Sequence, residues 1–272
     1  GKHILVSRDR LRTLIAGIAL TAVVVFVPSA CSGDTTRNSG PWSYAHGEYS
    51  FTQSDGKVLQ PVIKVIDVSE HQKSIDWQKV KQSGVDAAIL RVGYGYGNED
   101  KYFKENLAGA RVNRIRYGLY LYSYAYDTEF AREEANYLLK ELKKYSITDT
   151  DVPIFYDLEH TETWDGHKMP TDAAAYEKIA KAFFEVLENA GYTNVGIYTY
   201  ANNMTSRMNS TWLRAHTSWI ASYGDVLSYN FKDYSGPRAW QYTSTGRVNG
   251  ITGNVDISVF EPTFFTGSTI TR

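Results

Sequence analysis

From Pro61 onward the chain alternates short apolar runs with amphipathic ones, and this alternation constrains the fold more than any other feature of the sequence. A short apolar run bounded by turn signals reads as a strand buried on both faces; an amphipathic stretch with three- and four-residue spacing reads as the helix that returns the chain. Parallel βα units are the architecture that uses such a rhythm. Strands are expected at 62–69, 87–93, 118–125, 152–159 and 195–200, with helices at 77–82, 102–112, 129–145 and 172–190 between them. In the last helix Thr171 is the expected N-cap, Gly191 follows the end, and Tyr176, Ile179, Phe183, Leu187 and Ala190 line one face. After about Thr211 the rhythm changes, and 218–223, 238–243 and 254–260 read as strands joined by loops too short for full helices. Five βα units followed by three strands make an α/β, TIM-like, eight-stranded barrel with an incomplete helical ring.

The segments before the barrel have a different character. Lys2, Arg8, Arg10 and Arg12 precede an uncharged apolar run at 13–27, and Pro28-Ser29-Ala30-Cys31 follows. This order of basic, apolar and small residues is that of an export signal. Residues 1–31 are therefore expected to be a signal peptide, a lipoprotein signal lipidated at Cys31, or a retained membrane anchor, which places the rest outside the cytoplasm or in the cell envelope. Residues 32–60 read as a polar linker and a small hairpin turning at Ser54-Asp55-Gly56-Lys57. The barrel domain is expected over 61–264 and a short tail over 265–272.

Composition excludes more than it selects. Lysine plus arginine total 29 against 30 aspartate plus glutamate, so bulk charge gives no reason to expect nucleic acid as a partner. The single cysteine excludes an internal disulfide framework and a cysteine-built zinc site. Twenty-one tyrosines and six tryptophans supply flat apolar faces with polar rims, which suit sugars and suit sheet packing equally.

In a parallel barrel, functional groups collect where the strands end. Asp67 ends the first expected strand, Asp157 and Glu159 the fourth, Tyr198 and Tyr200 the fifth, and Asp256 lies in the last. Asp157 and Glu159, two residues apart on one strand, point the same way with Cα atoms about 6–7 Å apart. Carboxylates in an aromatic-walled cleft serve glycosidic cleavage, where one acid protonates the leaving oxygen and negative charge stabilises the oxocarbenium-like transition state. Metal binding competes for such acids, but His3, His46, His71, His160, His167 and His216 form no close ligand pair, so neither metal nor cofactor is expected. No Gly-x-Ser-x-Gly elbow is present, and Gly93-Tyr94-Gly95-Tyr96-Gly97 lacks the lysine of a phosphate loop.

Residues 65–72 (Val-Ile-Asp-Val-Ser-Glu-His-Gln) with Ile75-Asp76-Trp77 resemble the opening motif of glycoside hydrolase family 25, the Chalaropsis-type lysozymes. The similarity continues through Ile89-Leu90-Arg91-Val92-Gly93-Tyr94-Gly95, 118–125, Asp157-Leu158-Glu159, Gly196-Ile197-Tyr198-Thr199, Trp219-Ile220-Ala221, Trp240-Gln241-Tyr242 and 255–260, in consistent order over 63–260. The resemblance implies a (β/α)5β3 barrel that acts on peptidoglycan glycan strands and cleaves the β-1,4 bond between N-acetylmuramic acid and N-acetylglucosamine with retention; a monomer is expected. The resemblance also implies Glu159 as acid/base, Asp157 as the residue orienting or stabilising the intermediate, and Asp67 and Asp256 as the remaining acids. Whether the nucleophile is a carboxylate or the substrate's acetamide stays open. Tyr94, Tyr124, Tyr198, Trp219, Tyr223, Trp240 and Gln241, near expected strand ends, are candidates for the glycan groove. One position departs from the pattern: Ser258 stands where many members have asparagine. A non-catalytic glycan-binding barrel and a chitinase-like hexosaminidase remain as other readings, although Val152 and Phe155 break the longer acidic series of the latter.

Overall fold

The computed structural model describes residues 37–265, which fall within one compact unit, Thr36–Arg272. The expected export segment and Cys31 lie outside the described residues.

The described chain opens with β1 (Trp42–Ala45), β2 (Glu48–Thr52) and β3 (Val58–Val68). The β2–β3 turn forms at the expected place, with Gly56 at φ 86° and the Asp55 carboxylate accepting from Lys57 N–H at 2.9 Å. Thereafter α1 (Trp77–Gln82), β4 (Ala87–Tyr94), α2 (Phe103–Val112), β5 (Arg116–Tyr122), α3 (Thr128–Lys144) and β6 (Ile154–Asp157) alternate. A two-rung hairpin follows, β7 (Thr163–Trp164) and β8 (His167–Lys168), then α4 (Ala173–Asn189), β9 (Val195–Tyr200), α5 (Ala201–Thr205), α6 (Thr211–His216), β10 (Thr217–Ala221), β11 (Ala239–Gly246) and β12 (Val255–Phe260). The fifth helical connection is broken into the two short helices α5 and α6. The N-cap of α4 is Asp172 and not Thr171: Asp172 has the extended backbone a cap needs, and its carboxylate accepts from Ala175 N–H at 2.9 Å.

Eight strands, in the order β3-β4-β5-β6-β9-β10-β11-β12, close into a barrel, with β12 returning to β3. Neighbours pair in parallel from β3 round to β11, whereas β12 is antiparallel to both β11 and β3. The link from β11 to β12 contains no helix, so the chain turns back at the end of β11 and re-enters from the mouth. Asp256, the second residue of β12, therefore stands at the end where the parallel strands finish, in register with Asp67.

Side chains alternate between lumen and outer shell along each strand. Val65, Ile89, Tyr120, Phe155, Tyr198, Trp219 and Phe260 fill the lumen, while Ile66, Leu90, Leu119, Tyr156 and Ile197 pack outward under the helices. Trp219 is at the centre of the lumen, with ring centroids 4.9 Å from Phe155, 4.5 Å from Tyr198 and 5.5 Å from Phe260. Phe264 and Phe265, in a closing one-turn helix, plug the lower end; Phe265, the first residue of the expected tail, is buried there. The β1–β2 hairpin extends the sheet beyond the barrel, laying Phe51 edge-on against Trp240 and Tyr242.

Candidate active site

The mouth is built first from lumen positions at the strand ends. Asp67 and Asp256 face each other across the β3–β12 pair, where opposed side chains stand about 4.5–5.5 Å apart at Cβ. Asp157 ends β6, pairs in register with Tyr122 on one side and Tyr198 on the other, and is wholly buried. The ladder stops there, two residues earlier than the expected 159. Leu158 N–H still donates to the Tyr198 carbonyl at 3.0 Å, and Glu159 follows outside the strand, half-buried at the rim. His160 points away from the mouth, with Nδ1 3.2 Å from the Tyr176 hydroxyl of α4.

Gln241 ties the acidic floor together. Its Nε2 donates to Asp67 Oδ2 at 2.6 Å, and its Oε1 accepts from the hydroxyls of Tyr198 at 2.6 Å and Tyr223 at 3.1 Å. One amide thereby links β3, β9, β11 and the segment after β10. Because that amide is fully buried, each of these bonds is made in a medium of low dielectric, where losing one is costly.

Three aromatic or basic groups flank the carboxylates. The Tyr124 hydroxyl is pushed up to about 12, chiefly by burial, with Arg91 opposing the rise and Tyr94, Glu159 and Asp157 adding to it. Tyr124 therefore stays a neutral hydrogen-bond donor beside both acids. Tyr200 is also raised, by burial first and then by the Glu159 charge, so a second hydroxyl borders the rim acid. Arg91, in the lumen row of β4, donates through Nε to Asp100 at 2.8 Å and through Nη2 to Glu70 at 3.0 Å, and lies 5.2 Å from the Tyr94 ring centroid.

Of the aromatic candidates, Tyr94, Tyr124, Tyr198 and Tyr223 gather at the mouth with Gln241; Tyr223 is exposed and Tyr94 half-buried. Trp219 and Trp240 do not. Trp219 is sealed in the lumen, its indole N–H donating to Ser258 Oγ at 3.0 Å, which gives the departing serine a structural use. Trp240 faces the outer shell, donating to the Ser222 carbonyl at 2.7 Å beneath the N-terminal hairpin. Sequence reasoning missed Arg91 and Trp164 as site residues, and it placed Tyr200 at a strand end without counting it among the groove candidates. A charge inside the apolar run 87–93 was the available signal for Arg91. Trp164 comes from the β7–β8 hairpin, whose Asp165-Gly166 turn has φ 48° and 76°; its ring stacks on Tyr124 at 4.8 Å and 22°.

The arrangement joins a half-buried rim carboxyl, a buried carboxylate beside it, and two hydroxyl donors that remain neutral. Among the described residues no group of three or more His, Cys, Asp or Glu side chains is placed to hold a metal ion. Such a site can protonate a leaving oxygen and stabilise positive charge next to it.

The chain is similar in sequence and fold to known proteins. The sequence model for Glycosyl hydrolases family 25 matches residues 66–251. The autolytic lysozyme of Clostridium acetobutylicum is 29% identical over 208 residues, which cover 76% of this chain and 59% of that protein. Lysozyme M1 of Streptomyces globisporus is 27% identical over 208 residues, covering 73% of this chain and 67% of that one. Among solved structures, the modular autolysin LytC from Streptococcus pneumoniae in complex with a synthetic peptidoglycan ligand superposes with a TM-score of 0.75 at 33% identity. That match covers 81% of this chain and 52% of LytC, so this chain spans about half the length of its pneumococcal relative.

Proposed function

Since the chain belongs to glycosyl hydrolases family 25, we propose that it is a peptidoglycan muramidase, cleaving the β-1,4 bond between N-acetylmuramic acid and N-acetylglucosamine with retention. The observation that carries the reading is the pairing of half-buried Glu159 with fully buried Asp157 under one neutral tyrosine hydroxyl, that of Tyr124. The relatives support the substrate class, two being named lysozymes and the third having been solved with a peptidoglycan ligand.

In this mechanism Glu159, reachable from solvent, gives its proton to the glycosidic oxygen. Asp157 supplies the negative charge that stabilises the oxocarbenium-like centre, and Tyr124 donates a hydrogen bond to whichever oxygen develops charge. Asp67 and Asp256 form the floor, with Asp67 oriented by Gln241. As the leaving oxygen departs, either Asp157 or the substrate's own acetamide bonds to the anomeric carbon; Glu159 then serves as base for the water that displaces this group from the same face, which restores the configuration. The groove is lined by Tyr94, Tyr124, Tyr200 and Tyr223, with Trp164 backing Tyr124. We place the enzyme outside the cell or in its envelope on the basic-apolar-small order that precedes Cys31; labelling with a radioactive fatty acid, lost in Cys31→Ser, distinguishes a lipid tether from a cleaved or spanning leader.

The test is mass spectrometry of peptidoglycan digests. Muramic acid at the new reducing ends is the expected product; glucosamine ends or no new ends sink the proposal. Glu159→Gln should lower turnover by about 10²–10⁴-fold with the fold intact, and an active variant would remove Glu159 from its role.

A further inference from the structure

Behind the mouth lies an acid that cleavage itself does not use. Glu134, in α3, is fully buried, and its carboxylate collects three donors: the Ser123 hydroxyl at 2.8 Å, the Tyr156 hydroxyl at 2.6 Å and the Tyr124 backbone N–H at 2.9 Å. The Ser123 oxygen accepts in turn from Ala125 N–H at 3.0 Å, which fixes the start of the loop after β5. The Tyr156 ring lies flat on Phe183 of α4, 3.7 Å away and 3° from parallel. Glu134 thus grips two segments at once: the loop that presents Tyr124 to the acids, and β6 at the residue before Asp157.

An ionised carboxylate accepts from all three donors, whereas a protonated one must itself donate, so that its bond with the Ser123 or Tyr156 hydroxyl reverses and the carboxyl loses one donor. Among the described residues no cation faces the group. Around it are Ser123 and the Tyr124 amide at the end of β5, Tyr156 from β6, Phe183 from α4 behind Tyr156, and apolar Phe130, Ala131 and Leu138 on its own helix. Burial pushes the Glu134 carboxyl up to about 7, against the pull of its three hydrogen bonds. A packing role would be met at lower cost by an uncharged side chain of similar volume. The positions that Glu134 holds are those on which the chemistry depends.

We propose that Glu134, in its ionised form, is a positioning residue for glycosidic cleavage, holding Tyr124 and the end of β6 so that the Tyr124 hydroxyl and the Asp157 carboxylate meet Glu159 correctly. The inference rests on the muramidase reading. It is tested by following peptidoglycan turnover by the full chain, from about pH 4 to pH 9, for the wild type, Glu134→Gln and Tyr156→Phe, with thermal melting alongside.

Glu134→Gln is expected to lower kcat about tenfold at neutral pH while changing KM less than about twofold, because misplacement of reacting groups is felt in turnover. It should also remove the fall in activity that protonation of Glu134 imposes on the wild type. Tyr156→Phe keeps the ring and withdraws one donor from the carboxylate, so the acidic limb of its profile should move to higher pH. A purely structural Glu134 would lower the melting temperature and leave the acidic limb where the wild type has it. That outcome overturns the proposal, and Tyr156→Phe decides the matter alone if Glu134→Gln does not fold. A wild-type chain that releases no new reducing ends overturns the muramidase reading and this inference with it; wild-type turnover with unmoved limbs in the variants overturns the positioning role only.

Discussion

At the scale of single residues, the site is governed by how polar groups are satisfied inside a barrel. Gln241 is a short side chain with both ends used, one on Asp67 and the other on two tyrosine hydroxyls. Replacing it with leucine, of similar size, withdraws these partners, and a loss of about 1–3 kcal/mol in stability is expected from the denaturant midpoint, with lower turnover. Glu134 gives a pH signature of the opposite sense to an ordinary surface acid. Its folded pKa, about 7, is above the usual glutamate value, so its contribution to stability is complete below the unfolded pKa and is lost as pH rises through 7. Relative to Glu134→Gln, the wild type should lose about 3 kcal/mol between roughly pH 4 and pH 8. Equal pH dependence in the two proteins, measured by chemical denaturation, would contradict this. Neither role is legible from residue type alone: Glu134 sits in a helix whose sequence shows an ordinary charged stripe.

Among the elements, the helices were the most legible, because three- and four-residue spacing is a local property of the chain. Residues 77–82 form a helix as expected, and α2, α3 and α4 end within one residue of their expected limits. Strand ends were less legible. β6 stops at Asp157 because ladder pairing, which depends on its neighbours, ends there, and this frees Glu159 to stand at the rim. Packing between elements sets a further requirement at Gly109 in α2, where a Cβ would overlap the Trp77 ring of α1. Alanine favours a helix over glycine by about 1 kcal/mol, yet the overlap costs about 1–3 kcal/mol. Gly109→Ala should therefore lower the melting temperature, and a rise would show that Trp77 can move aside.

For the whole molecule, closure of the barrel and direction of its last strand decide the function. Antiparallel β12 delivers Asp256 to the mouth; a parallel β12 would carry it to the opposite end. The N-terminal hairpin lies outside the family match and covers Trp240 and Tyr242 on the far side of β11. Deleting residues 37–52 should cost about 3 kcal/mol or more in stability, since Trp42, Tyr49 and Phe51 are all buried there. The products of peptidoglycan digestion should be unchanged, because no mouth residue is touched; altered products would tie the hairpin to the groove.

The sequence by itself determined the order of strands and helices, the (β/α)5β3 plan and the positions of the acids near strand ends, since each is written in local spacing or in motif. The tertiary structure decided which side of each strand is which. In a closed barrel both faces of a strand are buried, one in the lumen and one beneath the helices or hairpin, so apolar character cannot separate them. Tyr198, Trp219 and Trp240 read alike in the chain, yet one joins the acidic floor, one fills the lumen and one packs outward. The same holds for Glu159 and Glu134, two acids distinguished only by what the folded chain brings against them.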